Sequence, residues 1–182
     1  MNKIALGLSA ALALGAAASA NAQSGNIDFT GMVTSVTCDV SFGGGASGSD
    51  NGVVSLPIVS TQSLPGGAFA GKTSFTMTVN GSDPQCQQGG VAVELNPNRS
   101  AAIVGPGYLE NTEPQSPANV AIAMRDANDS LIDLSTPWAS PRVPLTTPGG
   151  AVFTFSGEYV AHNGAATAGD VKAQVQYTLD YK

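Results

Sequence analysis

The amino-acid sequence predicts an all-β sandwich, and three observations point to this fold class. Apolar and polar residues alternate in short stretches that recur roughly every ten to fifteen residues. Gly, Pro, Asn and Asp separate these stretches, as is typical of turns. Helical periodicity is hard to find after residue 23. Many short alternating strands with regular turns indicate two packed antiparallel sheets.

Eight stretches share this alternation. In chain order they are Ile27–Val40, Gly52–Pro57, Ser74–Val79, Val91–Leu95, Asn119–Arg125, Ser130–Leu134, Ala151–Ala161 and Val171–Tyr181. Each is bounded by residues that favour turns. The clearest turns are 43–52, 65–67, 80–82, 96–98, 148–150 and 163–164. We therefore expect one domain with neither internal repeats nor a second region of different composition.

Composition and charge exclude several classes of protein. The chain has 182 residues, 42% of them hydrophobic and 11% charged, which is too apolar for an acidic disordered tail. Its net charge is −6, and its 7 Lys and Arg residues are scattered. Because nucleic-acid binding requires clustered cations, we expect no nucleic-acid partner.

The first 22 residues have the pattern of a cleaved secretory signal. Lys3 precedes an apolar stretch, Ile4–Ala18, which is followed by the cleavage pattern Ala20-Asn21-Ala22. The apolar stretch is shorter than the roughly 20 residues that a membrane-spanning helix needs. Cleavage would leave 6 basic and 13 acidic residues, and no transmembrane segment is expected in the mature chain.

Export changes the interpretation of the two cysteines. An even number of cysteines in an oxidising compartment predicts a disulfide, here between Cys38 and Cys86. A zinc site is not expected, because two cysteines and one histidine do not supply the usual four ligands.

The final stretch has the most regular alternation. One face carries Val171, Ala173, Val175, Tyr177, Leu179 and Tyr181, and the other carries Lys172, Gln174, Gln176, Thr178, Asp180 and Lys182. A half-buried strand at the end of a sandwich is the simplest interpretation. However, so long and apolar a sheet edge would promote aggregation unless something covered it.

A second alternating segment precedes the first cysteine. Its apolar face carries Gly25, Ile27, Phe29, Gly31 and Val33. Glycine within a strand often marks the close approach of another backbone. The segment is either the first strand of the sandwich or a strand that pairs outside its own domain.

The order of these features resembles the subunits of chaperone–usher pili. The resemblance rests on the signal peptide, the Gly25–Val33 segment, the two cysteines, Gly169 and the penultimate Tyr181, and it extends over the whole chain. Asn119–Met124 is also similar to the strand that follows a long variable region in type 1 and type 3 major subunits.

The resemblance implies an incomplete immunoglobulin-like sandwich that lacks its last strand and is completed by a donor strand from another chain. It implies a signal peptide at residues 1–22, a donor extension at 23–33 and a pilin domain at 34–182. The donor face would be Gly25, Ile27, Phe29, Gly31 and Val33. The acceptor groove and chaperone contact would be Val171, Ala173, Val175, Tyr177, Leu179, Tyr181 and Lys182. Cys38 and Cys86 match the disulfide of the family.

The function implied by the resemblance is that of a structural subunit of a surface fimbria that supports adhesion and biofilm formation, more consistent with a major than a minor subunit. Its partners would be identical or related pilins, a periplasmic chaperone and an outer-membrane usher. Its final location would be the bacterial surface, reached through the periplasm. The alternative is a secreted binding module, either a tip adhesin or a monomer whose N-terminal segment folds onto its own final strand.

Residues that could support catalysis or metal binding are few. His162 is the only histidine, and it precedes a predicted turn. The acidic stretch from Asp126 to Asp133 lacks the central Gly and final Glu of a calcium-binding loop. Trp138, the only tryptophan, is interpreted as a packing residue between strands. We expect no enzyme activity, cofactor or metal.

Overall fold

The computed structural model describes residues 38–81, 83–97, 100, 102–113, 117, 119–145 and 150–182. The strands are β1 (Asp39–Gly44), β2 (Ala46–Ser47), β3 (Val53–Val54), β4 (Phe69–Asn80), β5 (Gly90–Leu95), β6 (Ile103–Val104), β7 (Tyr108–Glu110), β8 (Val120–Arg125), β9 (Trp138–Ala139), β10 (Val143–Pro144), β11 (Ala151–Ala161) and β12 (Tyr177–Tyr181). Short 3₁₀ turns occupy Thr61–Ser63 and Pro84–Gln87. Within these described ranges no helix is long and apolar enough to cross a membrane.

The strands form two main antiparallel sheets, which confirms the predicted all-β class. The larger sheet has the order β1-β4-β11-β8-β7-β6, and the smaller has the order β10-β5-β12 with β9 also paired to β5. β2 and β3 form a separate hairpin. The main core between the sheets includes Phe75, Met77, Val79, Val91, Val93, Leu95, Phe153 and Phe155.

The longest strands show how alternation builds this core. On β4, Met77 and Val79 are only 2% and 0% exposed, while the intervening Thr78 is partly exposed. β11 pairs with β4 in antiparallel register and places Phe155 opposite Phe75, with ring centroids 5.7 Å apart. Trp138 contacts Phe155 edge-on at 6.0 Å, in agreement with its predicted packing role.

The predicted disulfide is present between Cys38 and Cys86. Both cysteines are buried, at 4% and 3% exposure. Cys38 immediately precedes β1, and Cys86 lies in the Pro84–Gln87 turn that leads into β5. The disulfide therefore joins the edge of the larger sheet to the start of the central strand of the smaller one.

Several predicted strand boundaries need correction. Of the predicted Ile27–Val40 strand, residues before 38 lie outside the described part, and β1 continues to Gly44 through residues predicted as a turn. Within the predicted Gly52–Pro57 strand only Val53–Val54 are paired. The short strands β6, β7, β9 and β10 have too few residues for a visible alternation.

The predicted strand Ser130–Leu134 is wrong. The Asp126 carboxylate accepts hydrogen bonds from the backbone N–H groups of Asn128 and Ser130, both at 2.9 Å, which closes a turn. Ile132 and Leu134 still enter the core, but only an isolated pairing of Leu131 with Arg125 remains of the predicted strand. His162 is half-buried, and its backbone N–H donates to the Asn119 carbonyl.

We predict that replacing both cysteines, Cys38→Ser with Cys86→Ser, lowers the free energy of unfolding by about 4 kcal/mol, because the disulfide closes a loop with a sequence separation of 48. Denaturant unfolding of the oxidised chain and the double variant measures the difference. Adding reductant should destabilise the unchanged chain by a similar amount and leave the variant unaffected. Equal stabilities of the two chains would contradict the prediction.

Candidate functional site

The described residues form an open apolar groove of about 800 Å³. One wall is the segment 171–177, which leads into β12, and the opposite wall is the segment 51–56, which contains β3. The floor is the exposed side of the core, formed by Phe42, Phe75, Met77, Val93, Leu95, Leu109, Ile122, Met124, Phe155, Gly157 and Tyr159. An open groove with an apolar floor can bind a polypeptide segment in an extended conformation.

The alternation predicted for residues 171–182 governs which of their side chains face inward. Ala173, Val175, Tyr177, Leu179 and Tyr181 are partly buried and pack against the main core. Val171 packs against a smaller cluster around Leu64. Lys172, Gln174, Gln176 and Lys182 are exposed, while Thr178 and Asp180 are intermediate. The structure thus brings six of the predicted acceptor residues to one face.

The segment is nevertheless a strand only over Tyr177–Tyr181, and its anchors explain why. The Asn111 amide oxygen accepts a hydrogen bond from the Lys172 N–H at 2.9 Å. The Thr112 N–H and hydroxyl donate to the Lys172 carbonyl at 2.8 and 3.1 Å. Because these bonds hold residue 172 beside the end of β7, the chain has to cross from one sheet to the other before β12 begins.

Between these anchors the backbone of one groove wall is unpaired. Within the part of the chain that the structure describes, the backbone N–H and C=O groups of residues 173–175 form no hydrogen bond. The same is true of the backbone of Leu56 on the opposite wall. Backbone polar groups beside an apolar floor strongly favour pairing. An inserted strand would supply partners to both walls at once.

The other end of the wall is firmly held. β12 pairs with β5 from Tyr177 opposite Leu95 to Tyr181 opposite Val91. The pairing continues through reciprocal bonds between Lys182 and Gly90, at 2.7 and 2.9 Å. Gly89 has φ +70°, and a Cβ there would lie 2.4 Å from the Lys182 carbonyl oxygen, so only glycine fits.

Arg142 reinforces this end. Its guanidinium donates to the carbonyls of Gly90 and Asp180, at 3.0 and 2.8 Å, and forms an ion pair with the Asp180 carboxylate. It therefore joins the backbones of β5 and β12. Lys182 is thus placed beyond the groove, with its backbone paired to Gly90 and its side chain exposed.

The free edge of β1 is covered by the chain itself. Asp50 N–H donates to the Val40 carbonyl at 2.9 Å, and Phe42 N–H donates to the Gly48 carbonyl at 3.0 Å. The Tyr177 hydroxyl reaches across and donates to the Asp50 carbonyl at 2.6 Å. The Phe42 and Tyr177 rings meet edge-on, with centroids 6.2 Å apart. The tip of the β2–β3 hairpin therefore contacts both β1 and β12.

Three tyrosines have a raised pKa, Tyr159 and Tyr177 in the groove and Tyr181 beyond its open part. Burial raises the pKa of the Tyr159 hydroxyl above its usual value. Burial is also the main cause for Tyr177, with smaller contributions from Asp50 and Tyr181. Burial is also the main cause for Tyr181, whose buried hydroxyl has no hydrogen-bond partner among the described residues. Each phenol is thereby held in its neutral form.

The sequence identified one wall of this groove but missed the other. Neither the wall 51–56 nor any residue of the floor was predicted as a site residue. The predicted strand at Gly52–Pro57 was the available signal, since an alternating segment without a pairing partner is a candidate wall. The predicted donor residues Gly25, Ile27, Phe29, Gly31 and Val33 lie outside the described residues.

Comparisons with known proteins agree on one family. Residues 27–182 match a family model described as Fimbrial protein. The chain is 32% identical over 169 residues to the major fimbrial subunit SMF-1 of Stenotrophomonas maltophilia, covering 89% of this chain and 95% of that protein. It is 32% identical over 177 residues to the F17 fimbrial protein of Escherichia coli, covering 94% of each.

Solved structures share the fold at lower identity. The P pilus rod subunit PapA matches with a TM-score of 0.57 and 16% identity, covering 87% of this chain and all of PapA's chain (100%). A Burkholderia pseudomallei antigen and type I fimbria protein matches with a TM-score of 0.54 and 19% identity, covering 80% of this chain and 100% of the other. The fold class predicted from the sequence is therefore confirmed.

We predict that stability falls as the pH rises above about 10, the usual pKa of tyrosine. A folded-state pKa above the unfolded value contributes stability that is present at lower pH and is lost as the pH rises through the folded value. Unfolding free energies at pH 8 and pH 11 measure the loss. Tyr177→Phe with Tyr181→Phe should lose less stability over this interval than the unchanged chain. An equal loss would show that other groups cause the effect.

Proposed function

This chain belongs to the fimbrial protein family and is a structural pilin subunit, and from that premise we propose that it polymerises by donor-strand exchange. In this proposal the segment 23–33 of one copy enters the groove of the next copy. The supporting observation is the unpaired backbone of residues 173–175 beside an apolar floor. Strand addition of this kind gains affinity from backbone hydrogen bonds and register from alternate side chains.

Of the two edge strands β1 and β12, β12 is the better acceptor. The free edge of β1 already pairs with residues 48–50 of its own chain. The segment leading into β12 has unpaired backbone groups and inward apolar side chains at Ala173 and Val175. An incoming strand would therefore lie between the segments 51–56 and 171–177.

The donor pattern in the sequence supplies the complementary face. Ile27, Phe29 and Val33 carry the large apolar side chains of that face, and Gly25 and Gly31 occupy positions where the two backbones would approach closely. Burying the three large side chains would contribute roughly 5–9 kcal/mol, at about 1.5–3 kcal/mol each, before ordering costs. A ladder of backbone bonds would add to this.

The subunit would reach the fibre by a defined route. A periplasmic chaperone would occupy the same groove before assembly, with its anchoring contacts near Tyr181 and Lys182, and an outer-membrane usher would exchange it for the next subunit. The signal at 1–22 is consistent with this route. The mature subunit would lie in a surface fimbria, as a major shaft component that supports adhesion and biofilm formation.

We predict that Val175→Arg abolishes fibre formation, because a charge in the apolar groove would be desolvated without a partner. Val152→Arg is the matched control, since Val152 is 51% exposed on the outer face of β11. The measurement is an unheated, non-reducing SDS gel of material sheared from cells, compared with the same sample boiled in acid. A normal ladder from Val175→Arg would contradict the assigned acceptor groove.

We predict that Gly31→Glu stops assembly without unfolding the domain, because a side chain there would prevent close contact with the acceptor backbone. Thr30→Glu, on the opposite face of the same segment, should still assemble. Circular dichroism of purified subunits checks that both variants fold. Normal fibres from Gly31→Glu would contradict the donor assignment. Monomers in all samples, with stability lost on deleting 23–33, would favour a self-complemented binding module.

A further inference from the structure

The β2–β3 hairpin lies at one end of the groove and is weakly held. Its ladder contains only the pairs Ala46 with Val54 and Ser47 with Val53. Ala46 is buried at 8% exposure, whereas Val53 is 65% exposed and the tip residues 48–52 are exposed. The hairpin is therefore anchored at its base and buries little apolar surface at its tip.

Four contacts hold the tip against β1 and β12. The Tyr177 hydroxyl donates to the Asp50 carbonyl, which joins the β12 wall to the hairpin. Asp50 N–H donates to the Val40 carbonyl and Phe42 N–H donates to the Gly48 carbonyl, and these two bonds join the hairpin to β1. At Gly52 a Cβ would lie 2.6 Å from the Phe42 ring, so the absence of a side chain lets the hairpin backbone lie directly on that ring.

We propose that this hairpin tip, residues 48–52, is an internal competitor that covers one end of the groove until an incoming strand displaces it, with the Tyr177–Asp50 contact as its latch. The inference rests on the proposed function, since it concerns regulation of the same groove. The tip connects β12, which continues one groove wall, to β1: the Tyr177 hydroxyl donates to Asp50, and two backbone bonds join residues 48 and 50 to β1. Displacement requires breaking the Tyr177–Asp50 bond, while the buried base at Ala46 stays in place.

The hairpin tip limits how far an incoming strand can follow β12. Beyond residue 177 the inward residues Leu179 and Tyr181 pack on the core but do not line the open groove. The latch thus marks the point where the open part of the groove ends. Opening the latch would let an extended strand follow β12 along its full length.

The test measures how fast a fluorescent peptide of residues 23–37 binds to the purified exported chain, by fluorescence anisotropy. Tyr177→Phe removes the latch hydroxyl and keeps the ring that contacts Phe42. Asp50→Pro opens the hairpin independently, because Asp50 has φ +56°, which proline cannot adopt, and its N–H donates to Val40. Tyr108→Phe is the control, since Tyr108 contacts Phe69 outside the groove.

We expect both latch variants to bind the peptide about two- to tenfold faster, the effect of losing one net hydrogen bond, and the control to bind at the unchanged rate. Hydrogen exchange at the Asp50 and Phe42 amides should also accelerate in Tyr177→Phe. Peptide binding at the same rate in all four chains would overturn the latch and leave the proposed function intact. No peptide binding by any chain would overturn donor-strand exchange and this inference with it.

Discussion

The structure depends on one constraint, which is that backbone polar groups beside an apolar surface need partners. Residues 173–175 lie next to the exposed core floor without such partners among the described residues. Both ends of this segment are fixed: Asn111 and Thr112 hold residue 172, and the pairing of β12 with β5 holds the other end. The segment therefore cannot move to pair with a strand of its own domain. In the proposed exchange an extended segment from another chain would satisfy these backbone groups without rearranging either anchor. The proposed need for a partner strand thus follows from how the wall is fixed.

Contacts outside the groove explain how a sandwich with an open groove remains folded. The Cys38–Cys86 disulfide fixes the start of β1 to the turn before β5. At the far end Arg142 joins the backbones of β5 and β12, and Gly89 allows the chain near Lys182 to approach closely. The disulfide and the contacts of Arg142 and Gly89 lie outside the groove, so they stabilise its walls without occupying the space between them. The fold can be stable with an open groove because the residues that stabilise it differ from the residues that line the groove.

Sequence patterns predicted the elements that alternate over many residues and failed where polar side chains redirect the backbone. β11 was predicted with its observed bounds, and the inward face of 171–181 follows the predicted alternation. The strand at 130–134 failed because Asp126 closes a turn, and the early part of the last strand failed because Asn111 holds Lys172 from a distance of about sixty residues in sequence. Such long-range side-chain contacts leave no periodic signal. The groove wall at 51–56 was missed as a site for the same reason, since its role depends on what lies opposite.

Displacing the hairpin tip costs less free energy than inserting a donor strand gains. This difference makes the proposed exchange favourable. The tip leaves Val53 65% exposed and is secured by a few hydrogen bonds, each worth on the order of 1 kcal/mol net. A donor strand would bury Ile27, Phe29 and Val33 and pair with both walls, a gain several times larger. The weaker contact can therefore cover the groove before assembly without preventing it. Because the proposed donor and acceptor are different surfaces of the same chain, the contact between them would be head to tail and would extend into an open fibre.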